Sequence, residues 1–143
     1  MKLLITGGLG HIGSFIIKDL ARIKKIKKIY LVDNLSNERF NVLFNLKNKK
    51  INFIFGDLKS NSLIKKLPRT NLVIHLASTT NAEKSFENKS YLFKNNLGSF
   101  KNIVNYCNKF RSNLVHISST SVYGPQKHFV SETQEKLFPR SPY

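Results

Sequence analysis

Residues Leu3–Ser14 read LLITGGLGHIGS, a short apolar run that breaks into a turn with Gly7, Gly10 and Gly13 spaced by three. Leu3, Leu4 and Ile5 read as a strand buried on both faces, and the turn as the entry to a helix starting near His11. Gly7 allows a sharp turn. Gly10 lets the backbone approach a pyrophosphate with no Cβ in the way, and Gly13 lets the new helix pack closely on its strand. The free N–H groups and positive dipole end of that helix then face the phosphates. A glycine triplet alone is also what any tight strand-to-helix turn uses, so the rest of the chain must decide.

Moving outward from the turn, Ile12, Phe15, Ile16, Leu20 and Ile23 recur at helical spacing and predict one buried stripe on a helix ending in the basic run at Lys24. Ile29 to Val32 predicts a second strand, with Asp33 at its C-terminal end. That is about 20 residues after the last glycine, where a dinucleotide fold sets a carboxylate to hold the adenosine ribose hydroxyls. A carboxylate there also repels a 2′-phosphate, which favours NAD over NADP; the plainer alternative is a turn or helix cap. Phe40 to Leu46 reads as a short helix. Ile51 to Phe55 is a third strand, with Asp57 and Leu58 beyond its end, placed to meet adenine or, for Asp57, to cap the helix Ser60 to Leu67. Leu72 to Leu76 is the fourth strand, followed by the small residues Ala77 and Ser78. A ligand crevice is expected where the strand order reverses.

A long helix, Phe86 to Phe110, is predicted from Phe93, Leu97, Phe100, Val104 and Cys107 at spacings of three and four. Asn95 and Asn96 interrupt its first half, as solvent-facing amides or as contacts to a cofactor. Leu114 to Ser118 is the fifth strand. It runs into the hydroxyl cluster Ser118, Ser119, Thr120 and Ser121, then Val122, Tyr123 and Gly124, in the position where chemistry is expected in this architecture. The fold class is therefore α/β, a doubly wound parallel sheet of Rossmann type with helices on both faces.

At 143 residues the chain can bury one sizeable core. The 24 Lys and Arg against 8 Asp and Glu give a formal charge of +16, which raises the question of nucleic acid. The lysines are scattered over helix faces and loops, with little aromatic interleaving and no helix-turn-helix, zinc-finger spacing or RNA-binding aromatic motif. They read as solvated faces, and neither nucleic acid nor a metal is expected as a partner. A single cysteine, Cys107, excludes an internal disulfide and favours a cytoplasmic site, with the thiol as core filler. No apolar stretch reaches the roughly 18 residues of a membrane span.

In order and at matching spacings, TGGLGHIGS, VDNLSN, FGDL, VIHLAS, the N-x-x-G at Asn95 to Gly98, HISSTSVYG and the closing PRSPY resemble the NAD-dependent epimerase/dehydratase family, the extended short-chain dehydrogenases/reductases that act on nucleotide sugars. The resemblance runs the length of the chain. It implies that Gly7, Gly10, His11, Ile12 and Gly13 lie under the pyrophosphate of NAD, and that Asp33 and Asn34, with the loop to Glu38, hold the adenosine ribose. Asp57 and Leu58 would flank adenine, Leu76, Ala77 and Ser78 would line the nucleotide path to Thr80, and Asn95 would reach the cofactor from the long helix. Ser119 aligns with the family's catalytic Ser or Thr, and Tyr143 with the tyrosine of its Y-x-x-x-K.

The implied activity is epimerisation of a nucleotide sugar, a UDP-sugar in the UDP-glucose 4-epimerase type, through transient hydride transfer. Thr120 and Ser121 stand where the dehydratases carry Asp-Glu, which disfavours dehydration and leaves 4-keto reduction or decarboxylation as alternatives. A non-catalytic nucleotide-binding or adaptor module is the alternative from another class. The resemblance places the motif's lysine, a C-terminal substrate domain and a homodimer helix beyond Tyr143. Residues 1–143 are thus expected to form an incomplete NAD-binding domain that binds NAD weakly and does not turn over alone.

Overall fold

The computed structural model describes residues 1–46, 48–80, 86–125, 129–134 and 136–139. Five strands form one sheet: β1 (Lys2–Thr6), β2 (Lys28–Asp33), β3 (Ile51–Phe55), β4 (Leu72–His75) and β5 (Asn113–His116). They are joined by α1 (His11–Arg22), α2 (Asn61–Lys66) and α3 (Lys89–Phe110), with 3-10 turns at Phe40–Asn45 and Thr120–Tyr123. All pairings are parallel, in the order β3-β2-β1-β4-β5. The order reverses beside β1, so the connections from β1 and β4 leave the same sheet edge in opposite directions and open a crevice between them.

The central strand explains why the sheet is covered on both faces. Successive side chains point to opposite sides of a strand. Leu3 and Ile5 accordingly join Ile17 and Ala21 of α1 and Ile29 and Leu31 of β2 in one core. Leu4 joins Val32, Val73, Ile103, Tyr106 and Cys107 in the other. Leu3, Leu4 and Ile5 are wholly buried. In the second core the Tyr106 hydroxyl donates to the Pro68 carbonyl at 2.6 Å and lies 2.9 Å from Thr70 Oγ1, which tethers α3 to the segment entering β4. Burial pushes the Cys107 thiol up, and it packs as an apolar group.

Two helix stripes differ from their sequence expectation. On α1 the buried residues are Gly13, Ile17 and Ala21, while Ile12, Phe15 and Ile23 are exposed. The close approach at Gly13 fixes which face turns inward, and Ile17 and Ala21 follow it at spacings of four while Ile12, Phe15 and Ile23 are left outside. On α3 the buried set is Leu92, Ser99, Ile103, Tyr106 and Cys107; Phe93 and Leu97 are exposed. The helix begins at Lys89 rather than Phe86.

Glycine is required at two positions of the first turn. Gly7 has φ +65°, and a Cβ there would stand 2.6 Å from the Ala77 backbone. A Cβ on Gly13 would stand 2.5 Å from the Gly8 Cα and carbonyl oxygen, so Gly13 makes room for the turn itself rather than for the strand. Under the turn, buried Thr6 Oγ1 and His75 Nδ1 meet at 2.7 Å across β1 and β4. The His75 ring stacks on His116, centroids 5.4 Å apart, and Phe100 closes the cluster at 5.9 Å and 4.6 Å. Burial, and secondarily the neighbouring His116, hold the His75 imidazole down at about 4.

Two consequences can be measured. Gly13→Ala forces backbone against backbone and is expected to cost about 2 kcal/mol or more in urea unfolding. His75 is neutral in the folded protein, whereas its unfolded counterpart takes up a proton below about pH 6.5. Its contribution is therefore complete above that pH and is lost as pH falls towards 4, by roughly 3 kcal/mol in all. His75→Asn keeps a polar group where Nδ1 stands and should flatten that acid limb in unfolding curves taken between pH 7 and pH 4.

Candidate functional site

Every strand ends at the same edge of the sheet, and the connections leaving β1, β2, β3 and β4 enclose a crevice of about 340 Å³. Its floor is the glycine turn. The first turn of α1 has Gly10 as N-cap and no side-chain cap, so its leading N–H groups are left to an anion. Gly10 has only the Gly7 carbonyl oxygen near its Cβ position, at 3.2 Å, so its outer side is open to a ligand.

Asp33 ends β2 and closes the turn from the side. Oδ2 accepts from the Leu9 N–H at 3.0 Å and Oδ1 from the Leu35 N–H at 2.9 Å. This makes the carboxylate a structural pin as well as a candidate ligand group. A carboxylate has about four acceptor sites, so lone pairs remain for hydroxyl donors. The following loop is shaped by two non-glycine residues at positive φ, Leu35 (58°) and Glu38 (53°), and by the Asn34 side chain, which accepts from the Ser36 N–H. It returns the chain to α1, where the Arg39 guanidinium donates to His11 Nε2 at 2.9 Å.

On the β3 side, Asp57 accepts from the Lys59 N–H at 2.8 Å and pairs with the Lys59 ammonium at 3.3 Å. It does not cap α2; Ser60 does, accepting from the Leu63 N–H. Leu58 is 5% exposed, and its carbonyl accepts from the Asn102 side chain at 2.8 Å, which fixes this wall to α3. On the β4 side, Leu76, Ala77 and Ser78 run along the crevice to Thr79. Asn96 holds Thr79 by accepting from its N–H at 2.8 Å and donating to its carbonyl at 3.1 Å. Asn95 donates to Thr79 Oγ1 at 2.9 Å. The two amides therefore divide their work: Asn96 fixes the backbone of the wall, and Asn95 lines the crevice beside it.

The residues that the sequence marks as cofactor contacts line this one crevice, apart from Glu38 at the end of the ribose loop: Gly7, Gly10, His11, Ile12 and Gly13 from the turn, Asp33 and Asn34 from β2, Asp57 and Leu58 after β3, Leu76, Ala77 and Ser78 after β4, and Asn95 from α3. Ser119 does not line it. It lies in an adjoining groove of about 320 Å³ that shares His75, Ala77, Ser78, His116, Ile117 and Ser118 with the crevice. There the Ser119 hydroxyl donates to Ser121 Oγ at 2.9 Å and accepts from the Ser121 N–H at 3.2 Å. Tyr143 lies outside the described residues. Sequence reasoning missed Arg39, His75, His116 and the pinning role of Asn96. For Asn96 the signal was present in the doubled amide; for Arg39 there was none, since it stands in a loop of mostly polar residues without periodicity.

An open-sided crevice with glycine backbone on its floor and two carboxylates on its walls fits a dinucleotide. A Cβ at Gly7 or Gly13 would collide with backbone, and the α1 N-terminus supplies donors for a diphosphate. Among the described residues no helix is long and apolar enough to cross a membrane.

Comparison with known proteins agrees with this geometry. The chain is 31% identical over 150 aligned residues to an uncharacterized UDP-glucose epimerase of Bacillus subtilis, YtcB, covering all of this chain and 47% of the relative. Its fold matches the UDP-N-acetylglucosamine 4-epimerase of Methanobrevibacter ruminantium with a TM-score of 0.88 and 29% identity, over 99% of this chain and 45% of that one. It matches the UDP-glucuronic acid 4-epimerase of Bacillus cereus, solved with UDP-glucuronic acid and NAD, with a TM-score of 0.89 and 27% identity, over 99% of this chain and 47% of that one. The chain thus spans about half the length of the relatives it matches. The model of the NAD dependent epimerase/dehydratase family matches residues 3–143, and the chain belongs to that family.

Proposed function

We propose that the protein is an NAD-dependent nucleotide-sugar epimerase of the UDP-glucose 4-epimerase type. The observation that supports this best is the pairing of a dinucleotide-shaped crevice, walled by Asp33 and Asp57, with an adjoining groove that holds Ser119. Both relatives with solved structures described above are 4-epimerases of UDP-sugars. When bound, NAD supplies a reversible hydride acceptor for a sugar carbon. The chain's own residues do the rest.

The α1 N-terminus holds the diphosphate, and Asp33 accepts from the adenosine ribose hydroxyls with the lone pairs left free by Leu9 and Leu35. Asp57 accepts from the adenine amino group while Leu58 lies against the ring. Ala77 and Ser78 let the nucleotide pass to the shared wall, and Asn95 holds it from α3. On the far side of that wall, Ser119 turns its hydroxyl from Ser121 Oγ and donates a hydrogen bond to the reacting sugar oxygen. Tyr143 removes the hydroxyl proton as the carbon is oxidised and returns it after the ring has turned. A tyrosine of ordinary pKa near 10 is a poor base at neutral pH, so a neighbouring cation must lower it. Thr120 and Ser121 carry no carboxyl group for eliminating a neighbouring oxygen, which favours epimerisation over dehydration. The enzyme works in the cytoplasm as a homodimer.

The test uses the gene product at its natural length, supplied with UDP-galactose. Appearance of UDP-glucose with no net NADH consumed supports the epimerase. A reduced sugar formed at the expense of NADH, or carbon dioxide from UDP-glucuronate, would assign a reductase or a decarboxylase instead. In the same protein Asp33→Ala is expected to weaken NAD binding at least about tenfold by calorimetry, through lost ribose contacts and a loosened turn. Unchanged affinity would remove Asp33 from the site.

A further inference from the structure

The chain has 24 Lys and Arg, yet among the described residues that line the crevice there is one, Arg39. We propose that Arg39 is a cofactor-binding residue that clamps the diphosphate beside the α1 N-terminus, with His11 as its positioning residue. This rests on the proposed NAD site.

The geometry defines the roles. A guanidinium can only donate, so His11 Nε2 accepts at 2.9 Å and the ring carries its proton on Nδ1. His11 is also the first residue of α1, so the tether holds the guanidinium beside the uncapped helix terminus where an anion rests. Arg39 is half-buried, and donors other than the one spent on His11 remain for phosphate oxygens. It arrives there because Leu35 and Glu38 take positive φ and turn the loop back over the crevice. The remaining charged groups on the lining are Asp33 and Asp57. Both are carboxylates, and Asp33 is engaged by the Leu9 and Leu35 N–H groups. A dianionic diphosphate entering between them needs a fixed positive partner besides the helix dipole, and Arg39 is the one on that wall.

Two other ligand groups could explain an arginine here: the adenine face, or a 2′-phosphate. Calorimetric titration of adenosine, ADP, NAD and NADP into the purified protein and into Arg39→Gln separates them. Arg39→Gln is expected to weaken ADP and NAD by about tenfold and leave adenosine unchanged, and Arg39→Lys to restore part of the loss. His11→Phe should weaken ADP less, and adding it to Arg39→Gln should cost little more, since the tether then has nothing to hold. Equal losses for adenosine and ADP would make Arg39 a base contact and overturn the clamp. A loss confined to NADP would make it a 2′-phosphate reader, with the same result. Unchanged ADP affinity in Arg39→Gln would overturn the inference alone, whereas a wild-type protein that binds neither ADP nor NAD would overturn the site as well.

Discussion

The structure depends on one close approach, that of the glycine turn to the neighbouring backbone. Gly7 sits against Ala77 and Gly13 against Gly8 at distances that leave no room for a Cβ. These contacts set how tightly α1 folds back on the turn and how near the β4 connection lies to it. Asp33 closes the arrangement, because its two oxygens join the turn at Leu9 to the loop at Leu35. Hydrogen bonds to a charged acceptor contribute roughly 1.5–3 kcal/mol each, enough to fix a segment that has few side chains of its own to pack. The crevice is the space left once these backbones have come together.

That dependence explains what could be read in the sequence. Strand β1 was legible because an apolar run that ends in glycines has few other uses, and both faces of Leu3 to Ile5 are indeed buried. The doubly wound parallel sheet followed from alternating strands and helices, and its reversal falls, as expected, at the crossing from the third strand to the fourth. The helix faces were less legible. Counting apolar residues at three and four selected Ile12, Phe15 and Ile23 on α1, but a steric rule chose Gly13, Ile17 and Ala21. Where two backbones must touch, the small residue marks the inner face. On α3 the same count selected Phe93 and Leu97, which are exposed, and passed over Tyr106, whose hydroxyl makes it look polar although it is 1% exposed. Its two partners, Pro68 and Thr70, lie far away in sequence, so nothing local announced that the oxygen would be satisfied.

The site shows a similar division. Residues at strand ends were predictable, because the register of a parallel sheet brings Thr6, Val32 and His75 level and their successors to one edge. Residues that arrive by loop were not. Arg39 reaches His11 only because Leu35 and Glu38 adopt a conformation that side chains with a Cβ rarely take. Such strain has to be held by its surroundings. Leu35 is partly buried against the core beneath α1, and the Asp33 carboxylate accepts from its N–H, so burial and a charged acceptor together hold the turn.

Charge is where magnitudes decide between readings. A formal +16 suggests a protein defined by its electrostatics, but a cation about 20 Å from a ligand contributes only ~0.2 kcal/mol in water before salt is considered. At a physiological Debye length of about 8 Å most of that is lost. A single guanidinium about 4 Å from a phosphate, near the protein surface, interacts by roughly 4 kcal/mol. One positioned arginine therefore outweighs the whole distant shell of lysines in setting affinity, while the lysines act on the rate at which an anion is drawn in. The same comparison explains why carboxylates can line the crevice of so basic a protein. Their effect is local, confined to groups in contact with them, while Arg39 is held at the start of α1, where the uncapped N–H groups add to its positive field.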